Sequence, residues 1–306
     1  MREEAVLEKS IFLKLYDLIK RDYPQFSSLW LKSREEFGPR WEKEISTNIA
    51  RVFGETRSQR WDEAVEGYAE FCIDALRAQV YFEKTGTYEQ KDYSAVLRDC
   101  YHSADYMNRR YLPGQYLSHY IWPHHQKMLR HFVDKLLPQV VKDVKLFYEV
   151  GVGCGMYSQK TLENLPGSHG AGFDISDFAL NFTLKTTELH GFAGRYKIFN
   201  QNVIDTPTTE LADMVISQEV LEHLDDPESF IRALHRMTRP GGWGYITAAI
   251  NAAHTDHIYH YHTPKEVQDQ LEKSGWRVAD AQIESNYPEK PEHLRPTIAG
   301  YLVRKN

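Results

Sequence analysis

Two strings in this chain carry side chains of the kind that bind metals or move protons. Glu219, Glu222 and His223 form an E-x-x-E-H run within DMVISQEVLEHLDDP, and His257 follows in HTDHIYHYH. Carboxylates and imidazoles are the ligands that Zn²⁺, Fe²⁺ and Mn²⁺ share, so two of each suit a divalent ion. Without an ion the same imidazoles are general-base candidates, because a neutral histidine accepts a proton near pH 7. Both readings stay open at this level: Glu219, Glu222, His223 and His257 as metal ligands, or His223 and His257 as catalytic bases. His254, His260 and His262 add imidazole density. Alternation along an extended segment would turn only some of them toward one place, and His257 is the first choice, His254 the second.

A third feature concerns the backbone. Residues 146–155 read LFYEVGVGCG, an apolar run and Glu149 followed by Gly151, Gly153 and Gly155. A strand that feeds a glycine-rich turn lets the main chain pass close to a ligand, since glycine has no Cβ to collide with it. About twenty residues further on, GAGFDIS ends a second apolar run at Asp174, where a doubly wound sheet presents a carboxylate to ribose hydroxyls. Dinucleotide enzymes use a similar turn, but here the third glycine comes one position early for G-x-G-x-x-G. Glu149 also places an anionic side chain where a pyrophosphate would sit. A cationic nucleoside without phosphate fits that environment better.

These groups need elements to hold them. From Val144 onward strand and helix patterns alternate, which predicts an α/β domain with a doubly wound, seven-stranded, mostly parallel sheet. Adjacent strand exits in such a sheet open onto one crevice, so the strings around His223 and His257 should converge there. Asp226-Pro227 reads as a helix start with Phe230, Ile231, Leu234 and Met237 buried, and Thr263, Pro264 and Glu266 read as a capping box. WRVADAQIES and TIAGYLVRKN should close the sheet as an antiparallel pair. Residues 1–138 have the pattern of an all-helical region, with Leu7, Ile11, Leu15, Leu18 and Ile19 at helical spacing and Trp30, Trp41 and Trp61 expected in the core. The expected division is therefore a helical lid and specificity region, 1–138, and a nucleoside-binding domain, 139–306.

The order of these motifs resembles that of the class I S-adenosylmethionine (SAM) methyltransferases over roughly the last two thirds of the chain. The resemblance implies SAM as cofactor, with Glu149, Gly151, Gly153 and Gly155 shaping the turn under its methionine part and Asp174 on the ribose. Asn202 with Val203 would meet the adenine, Asn202 standing where the family usually places an aspartate. Ser217 and Gln218 would flank the methionine end. The segment before the first strand, NRRYLPGQYLSHYIWPHHQKMLRHF, should lie over the cofactor, with Tyr111, Tyr116, His119 and Tyr120 as candidate contacts and Tyr116 the cofactor contact chosen among them. Strings like E-x-x-E-H with a later histidine ligate metal in plant small-RNA 2′-O-methyltransferases and in metal-dependent methyltransferases of α-keto acids. E-V-L-E-H-L-x-D-P also occurs in relatives that use no metal.

Composition limits the rest. With 37 Lys and Arg against 43 Asp and Glu the formal charge is −6, and no long basic run appears, so nucleic acid is disfavoured as substrate. The three cysteines lack disulfide or metal spacing, which suits a reducing cytoplasm. No apolar stretch reaches the ~20 residues of a membrane span. The expectation is a cytoplasmic biosynthetic methyltransferase acting on a small polar metabolite, an α-keto acid or a natural-product intermediate, with a homodimer as a possible assembly. The rival readings are a metal-free O- or N-methyltransferase with a histidine base, an NAD-dependent oxidoreductase, and a non-catalytic SAM-binding protein.

Overall fold

The computed structural model describes residues 9–306 apart from 57, 91 and 207. The N-terminal half is helical: α1 (Ile11–Asp22), α2 (Pro24–Phe53), α3 (Gln59–Thr85), α4 (Tyr93–Val96), α5 (Leu112–Ile121), α6 (Pro123–Arg130) and α7 (Leu137–Val140). Ser10 caps α1 by accepting from Leu13 N, and Leu15, Leu18 and Ile19 form its buried stripe. Leu7, expected on the same stripe, lies outside the described residues. Within α2 the helix breaks at Gly38 (φ 74°), next to Pro39, which has no N–H to continue the ladder. Three π-helical segments, Leu97–Tyr101, Tyr106–Tyr111 and His131–Leu136, join the later helices.

The second half carries β1 (Leu146–Val150), α8 (Met156–Asn164), β2 (His169–Asp174), α9 (Asp177–Leu189), β3 (Tyr196–Asn200), β4 (Ala212–Ser217), α10 (Pro227–Met237), β5 (Thr238–Ile250), α11 (Pro264–Lys273), β6 (Trp276–Ser285) and β7 (Thr297–Lys305). The strands form one sheet in the order β3-β2-β1-β4-β5-β7-β6. β1 to β5 pair in parallel, and β7 runs antiparallel to both β5 and β6, as the sequence predicts. The order reverses between β1 and β4, so their C-terminal ends open a crevice.

Local chemistry sets these elements. Asp226 caps α10 by accepting from Ser229 N, and Phe230, Ile231, Leu234 and Met237 are its buried face. Thr263 accepts from Glu266 N at the start of α11, but the Glu266 carboxylate reaches back to His262 N, one residue earlier than in the usual capping box. A continuous apolar cluster runs from Phe12, Trp30, Trp41 and Trp61 through Tyr116 and Phe132 to Phe147 and Tyr245 on the sheet. Each buried side chain of this size contributes roughly 1.5–3 kcal/mol, so the helices and the sheet stabilise each other. The expected boundary at residue 138 falls inside α7. Among the described residues no helix is long and apolar enough to cross a membrane.

Candidate active site

The first cavity is a groove at the strand ends where the sheet order reverses. β1 delivers the chain to Gly151, whose N–H donates to Phe173 O at 2.8 Å and so ties the turn to β2. Gly151 has φ 74°, and a Cβ there would stand 2.4 Å from Val220 Cγ2. Any side chain would therefore push against the β4 exit as well as strain the backbone. Gly151, Gly153, Asp174, Asn202, Val203 and Gln218, which the resemblance assigns to the cofactor, all line the groove. Asp174 holds Ser176 N with Oδ1 at 2.9 Å, whereas Oδ2 makes a longer, 3.5 Å contact to Gly153 N. Oδ2 thus keeps acceptor capacity for a hydroxyl. Gln218 Nε2 is a buried donor with no partner, which fits a site awaiting an acceptor such as a carboxylate. Asn202 already uses its amide locally, donating to Asp205 Oδ2 and accepting from Ile204 N.

Other expected contacts lie elsewhere. Glu149 is 2% exposed and turns behind the glycine turn, where Oε2 accepts from Ser158 N in the first turn of α8 at 2.8 Å. It caps that helix and does not face the groove. Burial pushes its carboxyl up to about 8. Gly155 (φ 71°) is the residue before α8 and packs on Thr183. Ser217 is buried at the end of β4, away from the groove wall. Tyr116 is a correction: it is fully buried in the main apolar cluster, edge-on to Phe53, and touches neither cavity. His119 and Tyr120 are buried outside both cavities too, whereas Tyr111 lines both.

A second cavity of about 330 Å³ adjoins the groove, and Tyr111, Gln115, Glu219 and His223 belong to both walls. The convergence expected of the β4 and β5 exits occurs here: Ile258 N and Tyr259 N both donate to Glu222 O, at 2.8 and 2.9 Å. Ligand atoms of Glu222, His223 and His257 lie within 4.8 Å of one another. His223 Nδ1 contacts Asp256 O at 3.0 Å and His257 Nδ1 contacts Ala252 O at 2.7 Å. A carbonyl only accepts, so both Nδ1 atoms carry the proton and both Nε2 atoms keep a lone pair. Glu222 is 0% exposed and neither carboxylate oxygen has a partner. Burial, with Glu219 nearby, pushes its pKa well above the usual range. An orphaned buried carboxylate beside two imidazole lone pairs suits a cation.

Glu219 stands apart from that trio. It has φ 49°, its N–H donates to Thr247 Oγ1, and its Oε2 lies 3.5 Å from His125 Nε2. Burial raises its carboxyl to about 7.

Gln115 and Asp256 do not figure in the sequence reading. Gln115 Oε1 accepts from Cys154 N at 2.8 Å and its amide fills the space that a Cβ on Gly153 would take. Asp256 is fully buried and joins both cavities, accepting from Tyr101 O–H at 3.1 Å and holding His254 Nδ1 at 2.7 Å. Burial alone would raise its pKa, but His223 and His254 hold it well below the usual range. The only sequence signal for Asp256 was its place between His254 and His257.

Comparisons agree with this architecture. Residues 148–243 match the family model of a methyltransferase domain. A ubiquinone biosynthesis O-methyltransferase of Nitrosospira multiformis is 30% identical over 38% of this chain and 46% of its own length. One of Bordetella bronchiseptica is 32% identical over 34% and 42%. The chain thus spans less than half the length of these relatives. An O-methyltransferase family protein from Burkholderia thailandensis superposes with a TM-score of 0.55 at 14% identity, over 83% of this chain and 75% of that one. That likeness concerns the fold. The domain match over residues 148–243, the sheet order and the glycine turn beside Asp174 together identify a methyltransferase domain of the class I, SAM-dependent type in this chain.

Proposed function

We propose that this protein transfers the methyl group of SAM to a small molecule held in the second cavity. The observation that carries the reading is the junction: His223 and Glu219 stand in the walls of both cavities. A sulfonium in the groove and a nucleophile in the chamber would meet there. In the transfer the S–CH₃ bond breaks, the acceptor atom bonds the methyl carbon, and the sulfur keeps the electron pair as a neutral thioether. The protein's task is alignment and exclusion of water, because the methyl group arrives already activated. Tyr101, Tyr111 and Gln115 supply that cover from the N-terminal half.

An acceptor that arrives protonated must also lose its proton. With no ion bound, His223 Nε2, its lone pair freed by the Nδ1 contact to Asp256 O, is placed to take it. Glu222, His223 and His257 would hold a divalent ion, which bound there supplies Lewis acidity to an acceptor oxygen. The orphaned Glu222 carboxylate favours the ion. Zn²⁺ and Fe²⁺ both suit one carboxylate and two imidazoles.

Transfer of labelled methyl from SAM to a metabolite extract, with and without prior chelation, tests both levels. Labelled product is expected, with less after chelation and recovery on adding metal. No product with any extract fraction would remove the catalytic reading, and indifference to chelator would leave His223 as base.

A further inference from the structure

The second cavity also specifies what can enter it. A dry apolar cavity of roughly 150 Å³ takes one benzene ring, so about 330 Å³ accommodates two rings, or one ring with a short chain. Its ionisable side chains gather at the floor around His223, His254 and His257 and, beside Trp122, at His124 and His125. The walls are largely apolar, with Phe26 and Leu29 from α2, Phe71 from α3 and Trp122 between α5 and α6, and Gln79, His124, His125 and Asn286 interrupt them. Leu76 and Tyr287 line the cavity yet are each 49% exposed, so the mouth is apolar as well. Among the described residues no lysine or arginine lines either cavity.

The floor is built, among the described residues, without a lysine or arginine. Asp256, buried there, holds His254 at 2.7 Å. Glu219 is in the wall and Glu222 lies behind it. A carboxylate entering this space would lose its hydration without gaining a lysine or arginine partner, whereas a neutral ring gains from burial against the walls.

We propose that the acceptor is a neutral, apolar-bodied molecule of up to two rings, entering past Leu76 and Tyr287 and presenting one hydrogen-bonding group to the His223–His254 floor. This rests on the second cavity being the acceptor site. It departs from the polar, α-keto acid metabolite that the sequence suggests.

The test is calorimetric titration of the full chain, as purified, with 2-naphthol and with 2-naphthoate, which share a ring system and differ in charge. Naphthol should bind at least about tenfold more tightly. Leu76→Arg places a cation at an exposed position of the mouth and should narrow that preference at least about threefold. Equal or tighter binding of naphthoate by the wild type, or a preference unchanged in Leu76→Arg, would overturn the proposal. Titration with S-adenosylhomocysteine alone is run in parallel. Its failure would count against the methyl-transfer reading and leave the charge comparison standing.

Discussion

The two cavities that meet at His223 are built in different ways. The floor of the groove is largely a backbone object: one strand end, a glycine turn and one carboxylate between Val150 and Asp174, finished by the β3 and β4 exits and covered by Tyr101, Tyr111 and Gln115 from the N-terminal half. The chamber is a side-chain object, assembled from α2, α3, the α5–α6 joint, the β5 exit and the β6–β7 connection. A backbone site tolerates little change, because its shape is fixed by φ and by the absence of Cβ atoms. A wall of packed side chains can be re-cut one residue at a time. On this account the N-terminal helices decide the acceptor and the glycine turn decides the donor.

The largest effect should come from the shared residue. His223→Ala removes the lone pair at the junction, and turnover should fall about 10²–10⁴-fold with SAM affinity little changed in calorimetry. If SAM affinity fell as much as turnover, the residue would belong to the groove alone. Gly151→Val should lower SAM affinity about 10²-fold. A left-handed φ costs a β-carbon roughly 1–2 kcal/mol and overpacking against Val220 adds roughly 1–3. The same variant should bind naphthol as the wild type does, and parallel losses would show that the cavities are not separable.

Asp174→Ala removes a charge-assisted hydrogen bond to ribose of ~1.5–3 kcal/mol and should weaken SAM at least about tenfold. Asp256→Asn keeps the side chain's shape but loses the charge that holds His254. Ligands of both cavities should weaken by a few fold, since Tyr101 on one side and His254 on the other depend on it. An effect on one cavity only would sharpen the comparison by assigning Asp256 to it.

The smallest effect concerns stability. Glu149 has a carboxyl raised by burial from 4.5 to about 8. A carboxyl raised in the folded state binds its proton more tightly there than in the unfolded chain. The stability it contributes is thus full below about 4.5 and lost as pH rises through about 8. Glu149→Gln should flatten the decline of Tm across that window, and an unchanged slope would show that Glu149 is ionised in the folded protein.

The contrast between the cavities also explains what the sequence made legible. The alternation of strands and helices, the antiparallel closing pair and the caps at Asp226 and Thr263 follow from local periodicity and turn chemistry. Gly151, Gly153, Asp174 and Gln218 follow from a motif confined to strand ends. What escaped depends on the phase of an element and on distant packing. In α5, Gln115 and Tyr116 are successive residues, about 100° apart around the helix. The phase turns Gln115 to the groove and Tyr116 to the core, so the aromatic chosen for its chemistry is the one that packs. Glu149 points away from the groove because the start of α8 offers it a backbone N–H. The chamber's apolar wall could not be read from the string, since Phe26, Phe71 and Trp122 meet the His257 segment only after folding.

The most direct test of a donor groove and an acceptor chamber meeting at His223 is a crystal structure of the protein with S-adenosylhomocysteine and 2-naphthol. The account predicts the ribose on Asp174, the sulfur facing the junction, and the naphthol between Phe71 and the His223–His254 floor with its oxygen toward that sulfur. Naphthol bound outside the chamber, or a nucleoside seated away from the glycine turn, would contradict it.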